Sequence, residues 1–252
     1  MRLGWVDFHG EASSSLFAGT GKTVRAEFTM IRLMDLVLSC IALICLSPLF
    51  LLAAAGIWLG SPGPILYRAK RVGIGGRIFV MYKFRTMHLS QGSVGSCITA
   101  QNDTRVFPFG SWLRRLKIDE LPQLINILRR EMSIVGPRPE DPKIVDLYYT
   151  PEHLETLRVL PGLSSPGSIY YYTHGEKTLN VDDPEGHYVE RLLPTKLALD
   201  IVYVHEVSVV YNLRVIVRTI WVILTMSLGK RDFPDPPELS KARRLGLIPK
   251  SL

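Results

Sequence analysis

The longest apolar stretch of the chain covers residues 36–59, LVLSCIALICLSPLFLLAAAGIWL, and contains no charged side chain. A run of this length can form a helix that crosses the hydrocarbon core of a bilayer. Pro48 lies near its middle, however, and cannot donate the helical hydrogen bond that the Ile44 carbonyl would accept. The Ser47 hydroxyl can help to satisfy such a freed backbone group, which matters greatly in hydrocarbon. The pattern predicts helix–break–helix at Ser47–Pro48, in a membrane segment of residues 30–60.

Basic residues flank this stretch on both sides, which bears on whether the chain crosses the membrane. Cytoplasmic flanks are enriched in lysine and arginine, so a spanning helix would place one basic flank on the disfavoured side. The pattern therefore favours a re-entrant hairpin with both flanks in the cytoplasm. A kinked single span is the alternative, because membrane helices tolerate proline. The flanks contain Lys22, Arg25 and Arg32 before the stretch and Arg68, Lys70, Arg71, Arg77, Lys83 and Arg85 after it.

The pattern after the apolar stretch predicts an α+β fold that is mainly helical. ILYRAKRV and RIFVMYKFRTM read as the two strands of a small β-hairpin, joined by the glycine-rich turn at 73–76. A helix should follow Pro122, which suits a first turn, whereas the prolines of GPRPEDP predict an extended loop. Further helices are expected over 151–159 and between 196 and 228.

The last of these regions, LRVIVRTIWVILTMSLG, is apolar but carries Arg214 and Arg218 on one helical face. A helix lying in the membrane interface, with these arginines toward headgroups and Trp221 near the boundary, is one interpretation. A core helix of the domain is the other. The predicted organisation is a flexible extension (1–29), the membrane hairpin, a cytoplasmic and interfacial domain (61–231) and a flexible tail (232–252).

The composition of the chain limits the kinds of partner that it is expected to bind. The chain has 252 residues, 47% hydrophobic and 21% charged, so it is not disordered by composition. Its net charge of +7 favours phosphate-bearing partners, namely nucleic acid, anionic lipid or phosphorylated substrates. The apolar stretch favours lipid, and no nucleic-acid-binding motif is recognised. We therefore expect inner-membrane lipid and no nucleic acid among the partners.

The candidate chemistry centres on the adjacent carboxylates Asp119 and Glu120, which precede the helix that follows Pro122. Adjacent residues do not face each other across a helical turn, so one can serve as nucleophile and the other as metal ligand. Cations surround them in sequence: Arg114, Arg115 and Lys117 upstream, Arg138 between two prolines, and Lys83 and Arg85 on a strand. Such surroundings should keep the carboxylates ionised with depressed pKa values. A solvated, salt-bridged helix start is the alternative.

Three motifs occur together in one order: SP inside the apolar stretch, RVGIGGRIFVMYKFRTM, and RRLKIDELPQLINILRREMSIVGPRP. Between Met30 and Arg231 the chain resembles the bacterial sugar transferase family, the monotopic phosphoglycosyl transferases. The resemblance implies transfer of a sugar phosphate from a UDP-sugar to a polyprenyl phosphate, undecaprenyl phosphate being the expected acceptor, with release of UMP. It also implies Mg²⁺ and a position on the cytoplasmic face of the bacterial cytoplasmic membrane. A homodimer is left open.

Residue by residue, the resemblance implies that Asp119 attacks the β-phosphate to form a covalent intermediate and that Glu120 binds Mg²⁺. Arg114 and Arg138 match cations near the phosphates or nucleotide. Lys83 and Arg85 are added as candidate phosphate-binding residues from their strand. Ser47–Pro48 matches the break of the re-entrant hairpin.

One loop departs from the family pattern. The family commonly has PGITGWAQVNGR where this chain has PGLSSPGSIYYYTHGE, residues 161–176, so the sugar cannot be inferred. The three consecutive tyrosines, 170–172, either stack on a base or sugar or form one face of a strand, and β-propensity favours the strand. A catalytically silent membrane adaptor of a glycan assembly complex is the alternative function, although an adaptor does not need the Asp119–Glu120 pair.

Overall fold

The computed structural model describes residues 21–89, 103–175 and 183–248. The chain is mostly helical with two small sheets, which confirms the mainly helical α+β prediction. The helices are α1 Gly21–Cys45, α2 Ser47–Gly60, α3 Pro108–Arg115, α4 Gln123–Leu128, α5 Pro142–Tyr148, α6 Pro166–Tyr170, α7 Pro184–His187, α8 Leu193–Glu206, α9 Val209–Ser227 and α10 Pro237–Arg244. The strands are β1 Leu66–Val72, β2 Ile78–Phe84, β3 Ser133–Val135 and β4 Gly162–Ser164.

The predicted break in the apolar stretch lies at Leu46, between α1 and α2. Pro48 occupies the first turn of α2, where a missing N–H has little cost. The Ser47 hydroxyl donates a hydrogen bond of 2.8 Å to the Ile44 carbonyl, the group that Pro48 leaves without its usual helical partner. This contact confirms the role predicted for Ser47.

The α1–α2 pair exposes large apolar side chains along its length, including both sides of the break, and it also packs against the rest of the protein. Ile44 and Leu51 are 74% and 72% exposed. On α1, the Arg32 guanidinium donates to the Ile127 carbonyl of α4 at 2.7 Å. On α2, Ile57 is fully buried in a cluster with side chains from β2 and α3. Both arms of the pair therefore contact the same domain.

The predicted β-hairpin is present, with β1 and β2 antiparallel and Val72 opposite Ile78. The turn contains a short 3₁₀ segment in which Gly75 has a φ of 60°, a conformation that glycine adopts without strain. A second sheet pairs β3 with β4 in parallel. At the end of this second sheet, a Cβ on Gly162 would lie 2.1 Å from the Gly136 nitrogen. The two backbone segments can approach this closely only because both residues are glycine.

The extended loop predicted for GPRPEDP is confirmed up to Asp141. Helix α5 begins at the last residue of this stretch, Pro142, and Asp141 caps it by accepting the Lys143 N–H at 3.1 Å.

The strand prediction for the three tyrosines is wrong, because α6 is followed directly by a π-helix, Tyr171–Gly175. Ser165 caps α6 by accepting the Ser168 N–H at 2.9 Å, and a proline follows it, which together start a helix. The helix expected over 151–159 is a 3₁₀ helix, His153–Arg158.

The region between 196 and 228, for which one or two helices are predicted, contains two, α8 and α9. Helix α9 and the segment Arg25–Cys45 of α1 are both long and apolar enough to cross a membrane, judged by length and composition. Arg218 does not face outward, however. It forms an ion pair of 2.9 Å with Glu238, which is 1% exposed, whereas Arg214 is exposed.

Both predicted flexible ends contain helix. Helix α1 begins at Gly21, inside the extension predicted for 1–29, and residues 1–20 lie outside the described part of the chain. Within the tail predicted for 232–252, α10 has Leu239 and Ala242 buried against α8. The ion pair between α10 and α9 adds to this burial, so the segment is held on two sides.

Candidate active site

A sharp backbone turn places Asp119 and Glu120 between α3 and α4. After α3, Lys117 adopts a left-handed conformation with φ 55°, which non-glycine residues seldom take. A single 3₁₀ turn, Ile118–Glu120, follows, and α4 then begins at Gln123. This confirms that the two carboxylates lie just before the helix, although they are buried rather than solvated.

Glu120 is the meeting point of three segments that are far apart in sequence. Two guanidinium nitrogens of Arg138 donate to its two carboxylate oxygens, one of them at 2.9 Å. Lys83 of β2 donates to Oε1 at 3.1 Å. Burial alone would raise the pKa of Glu120, but the charges of Arg138 and Lys83 outweigh it and hold this pKa well below its usual range. The predictions that Lys83 and Arg138 adjoin the carboxylates are confirmed.

Asp119 has a different environment from its neighbour. It is 7% exposed, and its Oδ1 accepts no hydrogen bond from any residue that the structure describes. Burial and the adjacent charge of Glu120 raise the pKa of Asp119, and the cations Lys83, Lys117 and Arg114 oppose this rise without cancelling it. The depressed pKa expected from the sequence is therefore right for Glu120 and wrong for Asp119, because burial was not visible in the sequence.

The remaining two candidate cations differ in their relation to the carboxylates. Arg114, at the end of α3, is close enough for its charge to act on Asp119. Arg85 instead links the α2–β1 connection to the end of the hairpin, because its guanidinium donates to Ser61, to the Pro64 carbonyl at 2.6 Å and to the Met87 carbonyl. The structure therefore does not bring Arg85 to the carboxylates and instead has it hold the domain against α2, while phosphate binding by Arg85 stays a prediction.

A buried polar layer lies behind Arg138, and the sequence analysis did not predict it. Asp200 of α8 accepts a 2.9 Å hydrogen bond from the Gly167 N–H and a longer one, 3.4 Å, from the Arg138 N–H. Its neighbour Lys196 is buried with Glu140, which also accepts the Tyr188 hydroxyl at 2.5 Å. The available signal was a lysine and an aspartate one turn apart inside the apolar run that forms α8, since buried charges require partners.

This layer gives a pH-dependent contribution to stability. Burial raises the pKa of Asp200 from 3.8 to about 6. The folded protein therefore holds this proton more tightly than the unfolded chain. Ionisation of Asp200 therefore lowers the free energy of unfolding. This loss begins at about pH 4, grows as the pH rises past about 6, and amounts to up to about 3 kcal/mol above that pH.

We expect the thermal midpoint in detergent to fall between pH 5 and pH 7.5, and the fall to be smaller in Asp200→Asn because the amide does not titrate. Asp232→Asn, which alters an exposed carboxylate, should keep the wild-type difference. An unchanged pH difference in Asp200→Asn would contradict the assignment.

The two carboxylates, Asp119 and Glu120, are the oxygen donors that a Mg²⁺ ion could bind at this site. Magnesium in phosphate-transferring sites takes one or two carboxylates and completes its shell with phosphate oxygens and water. Asp119 offers the unpartnered Oδ1, and Oε2 of Glu120 retains a second lone pair beside its bond from Arg138, whereas Oε1 already accepts from both Lys83 and Arg138. The described residues contain no cluster of three or more acidic, histidine or cysteine ligands that would form a self-sufficient site. The pair fits a magnesium ion bound jointly with a phosphorylated substrate.

The sequence of this chain matches one known protein family over most of its length. A family model described as bacterial sugar transferase matches residues 26–226, most of the chain. The matched region contains the α1–α2 pair, the hairpin, the carboxylate pair and the Arg138 loop. The chain belongs to the bacterial sugar transferase family.

Individual relatives carry more specific names. The UDP-glucose:undecaprenyl-phosphate glucose-1-phosphate transferase of Caulobacter vibrioides is 36% identical over 196 residues, 77% of this chain and 69% of that protein. The UDP-N-acetylgalactosamine-undecaprenyl-phosphate N-acetylgalactosaminephosphotransferase of Aeromonas hydrophila is 35% identical over 77% of this chain and 43% of its own length. The exopolysaccharide production protein ExoY of Sinorhizobium fredii is 34% identical, with 75% and 83% covered. Since these names include different sugars, similarity does not select one.

Proposed function

We propose that this protein transfers a sugar 1-phosphate from a UDP-sugar to undecaprenyl phosphate or a similar polyprenyl phosphate, with release of UMP. The observation that carries the proposal is the contrast between two adjacent buried carboxylates. Glu120 is held by Lys83 and Arg138, whereas Asp119 presents an oxygen without a hydrogen-bond partner among the described residues. An unpartnered carboxylate oxygen surrounded by cations suits attack on a phosphate.

In the first half-reaction, an oxygen of Asp119 attacks the β-phosphorus of the UDP-sugar. The bond between that phosphorus and the bridging oxygen breaks, UMP leaves with the bridging oxygen, and the sugar phosphate remains as an acyl phosphate on Asp119. In the second, a phosphate oxygen of the lipid attacks the same phosphorus. The carboxylate is released, and the product is a polyprenyl-diphosphate sugar. Two half-reactions at one nucleophile allow a soluble donor and a membrane-embedded acceptor to use the same site in turn.

The cations assist both steps. Arg138 presents a planar fork of donors that suits a diphosphate, and its position is fixed by Glu120 on one side and by the backbone contact with Asp200 on the other. Lys83 and Arg114 add positive charge near Asp119. Bound Mg²⁺, held by Glu120 with Asp119 nearby, would supply charge neutralisation for the departing UMP.

The membrane arrangement that we propose is a re-entrant hairpin on the cytoplasmic face of the bacterial cytoplasmic membrane. Its support is the packing of both arms, through Arg32 of α1 and Ile57 of α2, on the same domain, while Ile44 and Leu51 near the break are exposed. This arrangement keeps the site at the depth of the lipid phosphate, so that the acceptor need not leave the bilayer.

Purified protein in detergent with Mg²⁺, a UDP-sugar and undecaprenyl phosphate tests the reaction, with UMP release as the readout. A panel of UDP-sugars is required, because the donor is not identified. We expect release with at least one sugar and none when EDTA replaces Mg²⁺. Absence of release with every sugar would favour the alternative, a non-catalytic adaptor.

Light scattering of the same preparation reports whether the protein is a homodimer.

Single cysteines test the hairpin. With the native Cys40, Cys45 and Cys97 replaced by serine, cysteines introduced at Arg25 and at Ile65 should both react with an impermeant maleimide only from the cytoplasmic side. A hairpin returns both positions to one face, whereas a spanning helix separates them. Labelling of the two positions from opposite sides would refute the re-entrant arrangement.

A further inference from the structure

Asp35 is a buried carboxylate on the apolar helix α1, and the proposed reaction gives it no role. It is 1% exposed, whereas Leu33 and Val37, on the other side of the helix, are 61% and 48% exposed. Burying a carboxylate is costly unless a specific partner offsets the loss of water. An ionisable residue in a segment that enters a membrane therefore indicates a function, and its partner indicates which one.

The partner of Asp35 is the outer edge of strand β3. The Ser133 N–H donates to the Pro161 carbonyl at 2.8 Å, on the side of β4. Because successive N–H groups of a strand point to opposite sides, the Ile134 N–H points away from β4, as at the edge of a sheet. Oδ1 of Asp35 accepts this N–H at 3.0 Å. Asp35 thus holds the strand that leads to Arg138, four residues further along the chain.

Arg32, about one turn before Asp35 on α1, holds the other segment of the site. Its guanidinium donates to the Ile127 carbonyl at 2.7 Å and to the Leu128 carbonyl at 3.1 Å. The last carbonyls of an α-helix have no partner within the helix, so these contacts also cap α4. Helix α4 begins just after the turn that contains the two carboxylates. Two polar side chains of one helix therefore hold both segments from which the catalytic groups arise.

These polar contacts fix the position of α1 along its own axis, which apolar contacts do not. Burial of aliphatic side chains is non-directional and survives sliding of a helix. A hydrogen bond does not survive it, since a slide by one turn, about 5.4 Å, would separate Asp35 from the Ile134 N–H. Fixing a register is the best-attested use of a buried polar side chain. Asp35 therefore sets how far the exposed apolar side of α1 lies from the catalytic groups.

We propose that Asp35 is a positioning residue for the second half-reaction, because it fixes the depth of the site relative to the bilayer. The proposal rests on the proposed function and on the re-entrant arrangement, and it deepens both. The UDP-sugar is soluble and can reach the site at any depth, whereas the phosphate of the polyprenyl acceptor is confined to the headgroup layer. Attack requires reacting atoms about 3–3.5 Å apart, so a displaced site loses the acceptor first.

The test uses the full chain in lipid nanodiscs and measures the two half-reactions separately. The UMP burst without acceptor reports the first, and a chase of the labelled intermediate with undecaprenyl phosphate in the nanodisc reports the second. Asp35→Leu leaves the Ile134 N–H without its acceptor. Its burst rate should stay within about twofold of wild type, whereas its chase should be slower by about tenfold or more, as for other small misplacements in active sites.

Three further variants separate the hydrogen bond from other effects. Asp35→Asn keeps an oxygen that can accept the Ile134 N–H, so its chase should stay within about threefold of wild type. Asp35→Glu keeps a carboxylate but displaces it by one methylene, and its chase should lie between those of the Asn and Leu variants. Asp146→Leu, at an exposed aspartate of α5, is the matched control and should change neither half-reaction.

The amplitude of the burst counts the competent sites, so rates per site can be measured even if part of the Asp35→Leu protein unfolds. If that variant gives no burst, Asp35→Glu replaces it in the comparison. A chase equal to that of wild type in the variant that is compared would overturn the proposal. Equal slowing of burst and chase would also overturn it, because Asp35 would then only stabilise the fold around the site.

Two other outcomes are informative about the contact and about the reaction. A chase as slow in Asp35→Asn as in Asp35→Leu would exclude the acceptor oxygen as the group that fixes the register, which would also overturn the proposal. If wild type gives no UMP burst with any UDP-sugar, the proposed function fails, and not this inference alone.

Discussion

Replacing Asp119 by asparagine is expected to abolish turnover, with a loss of UMP release of about a thousandfold or more, as for other covalent nucleophiles. The amide has nearly the same shape but lacks the negative charge needed to attack phosphorus. Label from a UDP-sugar with a radioactive sugar should also remain on wild-type protein in the absence of lipid, and should not remain on Asp119→Asn. UMP release and protein-bound label together check the prediction.

The same substitution should leave the fold intact. Asp119 is buried with an oxygen that has no hydrogen-bond partner among the described residues, and its pKa is raised, so its ionised form is not stabilising. We expect the thermal midpoint of Asp119→Asn to equal or exceed that of wild type. Asp146→Asn, at an exposed aspartate of α5, is the matched control for activity. Undiminished UMP release by Asp119→Asn would exclude Asp119 as the nucleophile.

Local sequence signals predicted the parts of the fold in which neighbouring residues determine the structure. Pro48 kinks or breaks a helix through its own ring and missing N–H, and Ser47 can reach the freed carbonyl of Ile44 within the same turn. The hairpin follows from strand propensity and a glycine-rich turn, and the carboxylate pair follows from its position before Pro122. These features need no knowledge of distant contacts.

The strand expected at the three tyrosines shows how a local rule can fail. Aromatic residues favour strands mainly because they pack well on a half-buried pleated surface, not because their backbone prefers it. Here Ser165 and Pro166 form a helix start just upstream, and the burial of Tyr172 satisfies its side chain on a helix instead. The capping signal was the stronger one and was present in the sequence.

Arg85 shows why the type of a residue does not reveal which way its side chain points in the folded protein. Lys83 and Arg85 are two apart and would share one face of a regular strand. Strand β2 ends at Phe84, however, so the alternation stops and Arg85 turns toward Ser61 instead of the carboxylates. The raised pKa of Asp119 could not be predicted from the sequence either, because burial results from packing between segments that are distant in sequence.

The second large effect is expected at Arg138. Arg138→Met removes both guanidinium donors from Glu120. Of the two described cations that donate to this buried carboxylate, only Lys83 then remains. Breaking a buried ion pair from one side costs roughly 3–5 kcal/mol, so the thermal midpoint in detergent should fall clearly. UMP release should fall by about a hundredfold or more, comparable to the loss of one preorganised donor in other active sites.

Arg138→Lys separates the two consequences. A lysine restores the positive charge beside Glu120, so much of the stability should return, but it cannot form the two parallel hydrogen bonds of the guanidinium fork. Catalysis that depends on the fork should therefore remain at least about tenfold below wild type while the thermal midpoint recovers. Arg158→Met, at an exposed arginine of the His153–Arg158 turn, controls for loss of a cation and should alter neither quantity. Recovery of full activity in Arg138→Lys would show that charge alone is sufficient, because stability and catalysis would then follow the same electrostatic term.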